Sequence, residues 1–272
     1  MTTLHSHDEL DAIARPVVGI SLELDRGETD VHRHHKSQLM YVIGGLITVE
    51  TTDGIWTVPP RCAIWIPPNI DHFARAAGPI HIASLYLQPT LAGALGQHCG
   101  VLFVQPLLRE LIIRFASPGS FEDSAREDRL AAVLLDELLS APIEPLHLPV
   151  PTDRRLRRLA DAMLEDPSER LTSEEWGARV GASQRTLARL FQRETGMSFS
   201  RWRQQLQVGL ALQRLASGET VTNIGIELGY ESTSAFIAMF RRLLGTTPAR
   251  YFNEPGPHAI RSTQAIPVAD GG

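Results

Sequence analysis

The period of the apolar positions changes along the chain. Residues 16–88 carry short alternating or wholly apolar runs: VVGISLEL, QLMYVIGGLITVET, GIWTVPP, CAIWIPP and IHIASLYL. Turn signals separate them at Asp53-Gly54, Pro59-Pro60 and Pro67-Pro68-Asn69. Short strands at this spacing predict an all-β sandwich or barrel. The proline pairs belong at turns or edges, because proline cannot donate to an interior ladder. Beyond residue 89 the period lengthens. LLRELIIRF and REDRLAAVLLDELL predict helices over 106–116 and 124–140. Leu130, Val133, Leu134 and Leu138 give the second a wide apolar face. That face suits packing on the β-domain or dimerisation, and the pattern leaves both open. Pro142, Pro145, Pro149 and Pro151 predict a semi-stiff linker over 142–151. The expected organisation is thus a β-domain over 1–88, a helical segment over 89–141, the linker, a helical domain over 152–252 and a disordered tail over 253–272.

The helical domain repeats itself. Gly177 and Gly181 recur as Gly225 and Gly229, Ser183 as Ser232, Phe191 as Phe240, Gly196 as Gly245 and Trp202 as Tyr251. The offset is 48 at the glycines and 49 from the serine onward, so the second copy has one extra turn residue near Tyr230. Each copy reads as a short helix, a Gly-containing turn and a second helix opening on Ser, the layout of a helix-turn-helix. An Arg-rich helix over 153–166 precedes them, and FSRWRQQLQVGLALQRLA predicts a helix over 199–216 between them. Such a helix spans about 27 Å at 1.5 Å per residue. Successive major-groove faces along B-DNA repeat every ~34 Å. One chain can therefore present two helices to adjacent grooves.

In the first copy, Thr172 or Ser173 is the N-cap, Gly177 permits close approach of the second helix, and Gly181 permits the turn. Ser183 caps a helix whose Leu187, Leu190 and Phe191 face inward. Arg185, Ala188, Arg189 and Gln192 lie on the opposite face, and Arg and Gln carry the donors that read guanine and adenine. Ser183, Gln184, Arg185, Thr186, Arg189 and Gln192 are the candidate contacts; for Arg185 and Arg189 the alternative is solvated surface or phosphate contact. In the second copy, Thr220 or Thr222 caps the short helix. The helix from Ser232 turns Phe236, Met239, Phe240 and Leu243 inward, leaving Thr233, Ser234, Ile237, Ala238 and Arg241 outward. With Ser232 these are the second candidate set. They offer hydroxyls and apolar contact to thymine methyls but few strong base contacts.

Charge sharpens this picture. The net charge of −5 argues against a nucleic-acid binder, but residues 1–150 carry 10 basic and 18 acidic side chains, or −8, while residues 151–252 carry 15 and 11, or +4. Basic charge confined to one segment fits a DNA-binding module joined to an acidic domain. No apolar run approaches the roughly 20 residues that span a bilayer, and the acidic, His-bearing start resembles no secretory signal. Cys62 and Cys99 form neither a CxxC nor a disulfide framework. A cytoplasmic protein with no membrane partner is expected.

The run IGIELGYESTSAFIAMFRRLLGTTPARYF resembles the C-terminal signature of the AraC/XylS family of transcription regulators, and SQRTLARLFQRETGMSFSRWRQQLQ resembles that family's first helix-turn-helix and linker helix. The resemblance covers 160–252. It implies a seven-helix module on asymmetric double-stranded DNA sites, with Arg189 where the family commonly places a base-reading residue. The matching position in the second copy is Ala238, where several members carry Arg. RNA polymerase, an unknown small-molecule effector and a second copy of the chain are the implied partners.

The first domain holds another constellation, VHRHHKSQLMYVIGG followed by WIPPNIDHF. His32 and His34 are expected on one strand, facing the same way, with His72 after a Pro-Pro turn. This resembles the cupin barrel, whose metal-binding members use His-x-His, then Glu, then a distant His after a Pro-x-Gly turn. Here Gln38 stands where the Glu would be, and Asn69 replaces the turn glycine. Three imidazoles suit Zn, Fe, Ni or Mn, so a divalent metal on His32, His34, His72 and Gln38 is one reading. A small-molecule pocket lined by these residues is the other. Trp56, Trp65 and Tyr41 read as core or pocket wall. The whole resembles regulators with a cupin-like sensor domain. A cupin metalloenzyme of dioxygenase type fused to a DNA-binding domain is the alternative. The missing Glu weighs against it, since such a centre needs full ligation plus an acid or base, and Asp71 reads as a turn hydrogen-bonder. No enzyme is expected.

Overall fold

The computed structural model describes residues 7–251 apart from Arg26, Ala77 and 118–123. The expected tail over 253–272 lies outside the described residues. The chain divides into two compact units, residues 7–51 with 56–145 and residues 52–55 with 146–251.

The first unit opens with α1 (His7–Ala12). It continues through β1 (Val17–Leu24), β2 (Gly27–Glu28), β3 (Ser37–Gly44), β4 (Ile47–Thr51), β5 (Gly54–Val58), β6 (Cys62–Ile66), β7 (His72–Ala76) and β8 (Ile80–Leu87). Then follow α2 (Pro89–Ala92), β9 (Gly100–Phe103), α3 (Pro106–Ala116), α4 (Ser124–Ser140) and β10 (Ile143–Glu144). One antiparallel sheet runs β1-β8-β3-β6-β9-β10, and in a second β5, β4, β7 and β2 lie side by side. Side chains alternate along a strand, and both faces of the first sheet are buried. Leu39, Tyr41, Ala63, Trp65, Ala83, Leu85 and Leu87 pack with Leu108, Ile112 and Phe115 of α3 and Leu134 and Leu138 of α4. The opposite parity puts Gln38, Met40, Ser84 and Tyr86 on the face turned away from those helices, with Gln38 directly opposite Tyr86 across β3 and β8. The histidine cluster therefore belongs to that second face.

Two boundary expectations change. The 89–141 segment is not a separate helical body, because β9 lies inside it and both helices supply core of the β-domain. The proline-rich 142–151 segment is not a bare linker. It holds β10 and β11 (His147–Pro149), and the units divide between Pro145 and Leu146. Strands of two or three residues show no periodicity, and proline is tolerated at edge positions such as β10 and at strand ends. Leu134 and Leu138 are spent on the core, whereas Val133 and Leu139 of α4 stay exposed.

The second unit carries α5 (Arg154–Glu165), α6 (Ser173–Arg179), α7 (Gln184–Thr195), α8 (Phe199–Ala216), α9 (Val221–Glu227), α10 (Thr233–Leu244) and α11 (Pro248–Tyr251). These are the seven helices the resemblance implies. Leu156, Leu159 and Met163 of α5, Trp176 of α6, Leu187, Leu190 and Phe191 of α7, and Phe199, Trp202 and Leu206 of α8 form one core. The second repeat buries Ile224, Leu228, Phe236, Met239, Phe240 and Leu243.

Candidate DNA interface and histidine cluster

Local chemistry sets the ends of both recognition helices. Thr172, rather than Ser173, is the N-cap of α6, in a capping box with Glu175. Thr220, rather than Thr222, caps α9. Ser183 and Ser232 cap α7 and α10, accepting from the backbone N–H of Thr186 and Ala235 at 3.2 Å each. Gly196 and Gly245 end the same helices in the left-handed conformation. A Cβ on Gly177 would meet the Ala182 carbonyl at 2.6 Å, so the close approach there is to the turn rather than to α7.

On α7 the candidate readers differ in what already engages them. Ser183 holds the cap, with its hydroxyl 3.0 Å from the half-buried Thr186 hydroxyl. Gln184 donates its amide to the Ser173 hydroxyl (2.8 Å), and Gln192 donates to the Gly196 carbonyl at its own helix end (3.1 Å). Arg185 and Arg189 are exposed one turn apart. Five other arginines of the unit are in ion pairs, Arg155 with Asp153, Arg157 with Asp161, Arg179 with Glu169, Arg193 with Glu194 and Arg214 with Glu227, while Arg154, Arg158, Arg241 and Arg242 are exposed outside such pairs among the described residues. Among the described residues, Arg185 and Arg189 have no such ion pair. On α10, Ser234, Ala238 and Arg241 are exposed and Thr233 and Ile237 half-buried. Ser234, Ile237, Ala238, Arg241, Arg242 and Thr247 line a shallow depression.

In the first unit, His32 and His34 do not share a strand. His32 forms an isolated bridge with His72, each backbone N–H donating to the other's carbonyl (3.0 and 2.9 Å), and His34 lies in the irregular segment before β3. The alternation argument fails there, yet the rings meet. Their centroids lie 4.3 Å (His32–His72), 5.0 Å (His34–His72) and 6.0 Å (His32–His34) apart. Asn69 takes φ of 61° and donates its N–H to the His34 carbonyl at 2.9 Å, so it fills the turn position left by glycine. Each imidazole also meets a backbone carbonyl through Nδ1: His32 that of Asp30 (2.8 Å), His34 that of Lys36 (2.6 Å) and His72 that of Ile70 (2.8 Å). A carbonyl only accepts, so each Nδ1 carries the proton. In neutral His32 and His72 Nε2 is then the lone-pair atom, whereas His34 Nε2 also faces an acceptor, the Gln38 amide oxygen 3.2 Å away. Burial lowers the His34 pKa, against the hydrogen bonds to Lys36 and Gln38, which raise it.

A family model described as an AraC-like ligand binding domain matches residues 16–187, and one described as a helix-turn-helix domain matches 176–254. Over 228 residues the chain is 39% identical to the HTH-type transcriptional regulator NimR of Escherichia coli (strain K12), covering 84% of this chain and 83% of the relative. The chain belongs to the AraC family of transcription regulators. It is 34% identical over 103 residues to the HTH-type transcriptional regulator RipA of Corynebacterium glutamicum, covering 38% of this chain and 31% of that one. The crystal structure of the DNA-binding domain of AdpA, a global transcriptional factor, in complex with a target DNA is 31% identical. It covers 36% of this chain and 89% of that chain, with a TM-score of 0.35. This AraC-type regulator is thus a DNA-binding protein with an N-terminal ligand-binding domain. Among its described residues no helix is long and apolar enough to cross a membrane.

The histidine cluster of this regulator fits a divalent cation. One ligand atom from each of His32, His34 and His72 lies within 4.8 Å of the others. Imidazole nitrogens bind zinc-like ions at about 2.0–2.1 Å, so the rings need to close by less than about 1 Å. Donation of the other ring N–H to a carbonyl is the arrangement that orients metal-binding histidines. Gln38 gives its amide hydrogens to Ser84 Oγ (2.8 Å) and the Tyr86 hydroxyl (3.1 Å), which points Oε1 at His34 Nε2, 3.2 Å away.

Sequence reading missed the residues that hold the second repeat on α8. Gln207, buried on α8, donates to the Leu228 carbonyl (3.0 Å) and accepts from the Tyr230 hydroxyl (2.7 Å). Arg170 donates to the Tyr230 carbonyl at 3.1 Å, and Arg203 to those of Leu171 (3.1 Å) and Glu169 (2.6 Å). The extra turn residue near Tyr230 was the available signal. Gln207→Ala is expected to destabilise the unit by about 1–3 kcal/mol, because it leaves the Leu228 carbonyl without its donor. Chemical denaturation of the full chain, following protection of the α9–α10 turn, measures it.

Glu194 near the end of α7 also acts at a distance. It accepts from the Thr152 hydroxyl (2.7 Å) and the backbone N–H groups of Thr152 (3.0 Å) and Asp153 (2.9 Å). The Thr152 hydroxyl first, then Arg193, holds its carboxyl down at about 2. Because the folded pKa lies below the ordinary value of 4.5, this stabilisation is present above that value and is lost as pH falls toward 2. Glu194→Gln is expected to flatten the stability profile of the helical unit in that window, measured by urea titrations at stepped pH.

Proposed function

We propose that this regulator reads an asymmetric DNA site chiefly through α7, with Arg185 and Arg189 on base edges and α10 acting mainly as an anchor. The carrying observation is the pair of exposed arginines one turn apart on α7, the second helix of the first helix-turn-helix, where the neighbouring Arg179 and Arg193 are held in ion pairs. On α10, Ser234, Ile237 and Ala238 suit thymine methyls and hydroxyl contacts, while Arg241 and Arg242 suit phosphate. The 18 residues of α8 span about 27 Å, which suits two helices in adjacent grooves. Ser183, Gln184, Thr186 and Gln192 then shape the α7 edge, and Ser232 and Thr233 the start of α10. A cytoplasmic regulator acting on RNA polymerase as a homodimer, through exposed surface such as Val133 and Leu139 of α4, completes the reading. Selection of bound sequences from a random DNA pool tests it. A strong preference confined to the half under α7 is expected, and an equally sharp preference in both halves would overturn the assignment.

The sensor reading is a divalent cation at His32, His34 and His72. Three Nδ1–carbonyl bonds and one ligand atom of each imidazole within 4.8 Å of the others support it. When bound, such an ion tethers three separate backbone segments, and the residues of this chain supply the tether points. Regulation rather than catalysis is favoured by Asp71, the carboxylate nearest in sequence, whose side chain is 57% exposed and sits 3.9 Å from Arg33. Protein purified without added metal is expected to carry near-stoichiometric metal by elemental analysis, lost in His34→Ala. Metal content equal in both proteins would end the reading.

A further inference from the structure

We infer that Gln38 makes the cation site one that takes up its ion together with a small anion of the size of formate or azide. The inference rests on the cation reading above and adds the charge of what must accompany the ion. The donor set is three imidazoles and one amide oxygen, each neutral, so a bound divalent ion keeps its full double positive charge. His34, His72 and Gln38 are 3%, 1% and 2% exposed and His32 is half-buried, so most of the donor set lies out of water. An uncompensated charge in such surroundings is costly.

Two neighbouring carboxylates, Asp11 and Asp71, are already engaged. Asp11 accepts from the backbone N–H groups of His35 (2.7 Å) and Lys36 (3.1 Å), and Asp71 lies by Arg33 in solvent. The nearest cation, Lys36, is offset by Asp11 beside it and leaves the balance at the donor set unchanged. Lys36, whose carbonyl meets His34 Nδ1, is 1% exposed and gives its ammonium to the carbonyls of Leu10 (2.8 Å) and Ile13 (2.7 Å). The neutral donor set therefore leaves the charge of a bound ion to be balanced by an incoming anion.

Position 38 decides this through one atom. Its partners Ser84 and Tyr86 are hydroxyls, which accept from the Gln amide and can equally donate to a carboxylate. Gln38→Glu therefore meets two hydroxyls that can donate to it, and it supplies the missing negative charge from the protein itself.

The test uses the full chain loaded with cobalt(II), whose visible absorption reports its coordination, titrated with azide. Wild-type protein is expected to bind cobalt and to change spectrum saturably on adding azide. Gln38→Glu is expected to keep cobalt while its azide affinity falls at least about tenfold, because a carboxylate replaces the anion's charge beside the ion. An azide response as tight in Gln38→Glu as in wild type, or none in the cobalt-loaded wild type, would overturn the inference and leave the cation reading standing. If wild type and His34→Ala take up equally little cobalt, the cation reading falls and the inference with it.

Discussion

Arg185→Ala combined with Arg189→Ala is expected to weaken binding to the selected DNA site by at least about 2 kcal/mol, roughly thirtyfold, and to flatten base preference under α7. Each bidentate Arg–guanine contact contributes about 1–3 kcal/mol of discrimination. The two side chains are four residues apart on one exposed face, so their effects need not add. The informative comparison is with Arg241→Ala, which on this reading removes a phosphate contact. That variant should lower affinity about equally for all sequences and reduce the salt slope by about 1. Binding curves on the selected site and on single-base variants, at several salt concentrations, separate the two behaviours. A double variant that loses affinity evenly across all sequences would show Arg185 and Arg189 to be phosphate contacts instead.

Trp202→Ala should have the largest effect on stability. The indole is 1% exposed, stacks on Phe191 with centroids 5.5 Å apart, and donates Nε1–H to the Pro149 carbonyl at 2.8 Å. It joins α8 to α7 and to the strand that opens the helical unit. Removing a buried Trp costs about 3–5 kcal/mol, against about 5–15 kcal/mol for a whole domain. The variant should therefore be marginally folded over 146–251 and lose DNA binding through its scaffold rather than its reading face. Trp202→Phe keeps most of the packing and should cost about 1 kcal/mol for the lost hydrogen bond. Amide hydrogen exchange of α7 and α8 in the full chain distinguishes these outcomes. Unchanged protection in Trp202→Ala would show that the core tolerates the cavity.

Particular residues show how far the chain could be read before its structure. Ser183 and Ser232 were legible as caps, and Leu187, Leu190 and Phe191 as core, because a helix brings residues three and four apart onto one face. Both long helices of the first unit fall where the apolar spacing puts them, at Pro106–Ala116 and Ser124–Ser140. The short strands β9, β10 and β11 were not legible, since two to four residues carry no period. The position of Gln192 on the outward face of α7 is legible, but its donation to Gly196 is a choice of rotamer that sequence does not encode. His32 and His34 were assigned one strand from a period-two argument that does not hold in the irregular segment they occupy.

By itself, then, the sequence determined the repeated helix-turn-helix pair, the Ser183 and Ser232 caps, the inward faces, and the asymmetry between Arg189 and Ala238. These depend on contacts within a dozen residues, where backbone periodicity sets geometry. Only the tertiary structure decided which arginines of the basic segment remain outside ion pairs, and that Tyr230 and Gln207 hold the second repeat to α8. It alone decided that carbonyls of Asp30, Lys36 and Ile70 turn three imidazoles toward one point. Those features join residues far apart in the chain, or depend on the direction of a single side-chain atom, and sequence spacing carries neither.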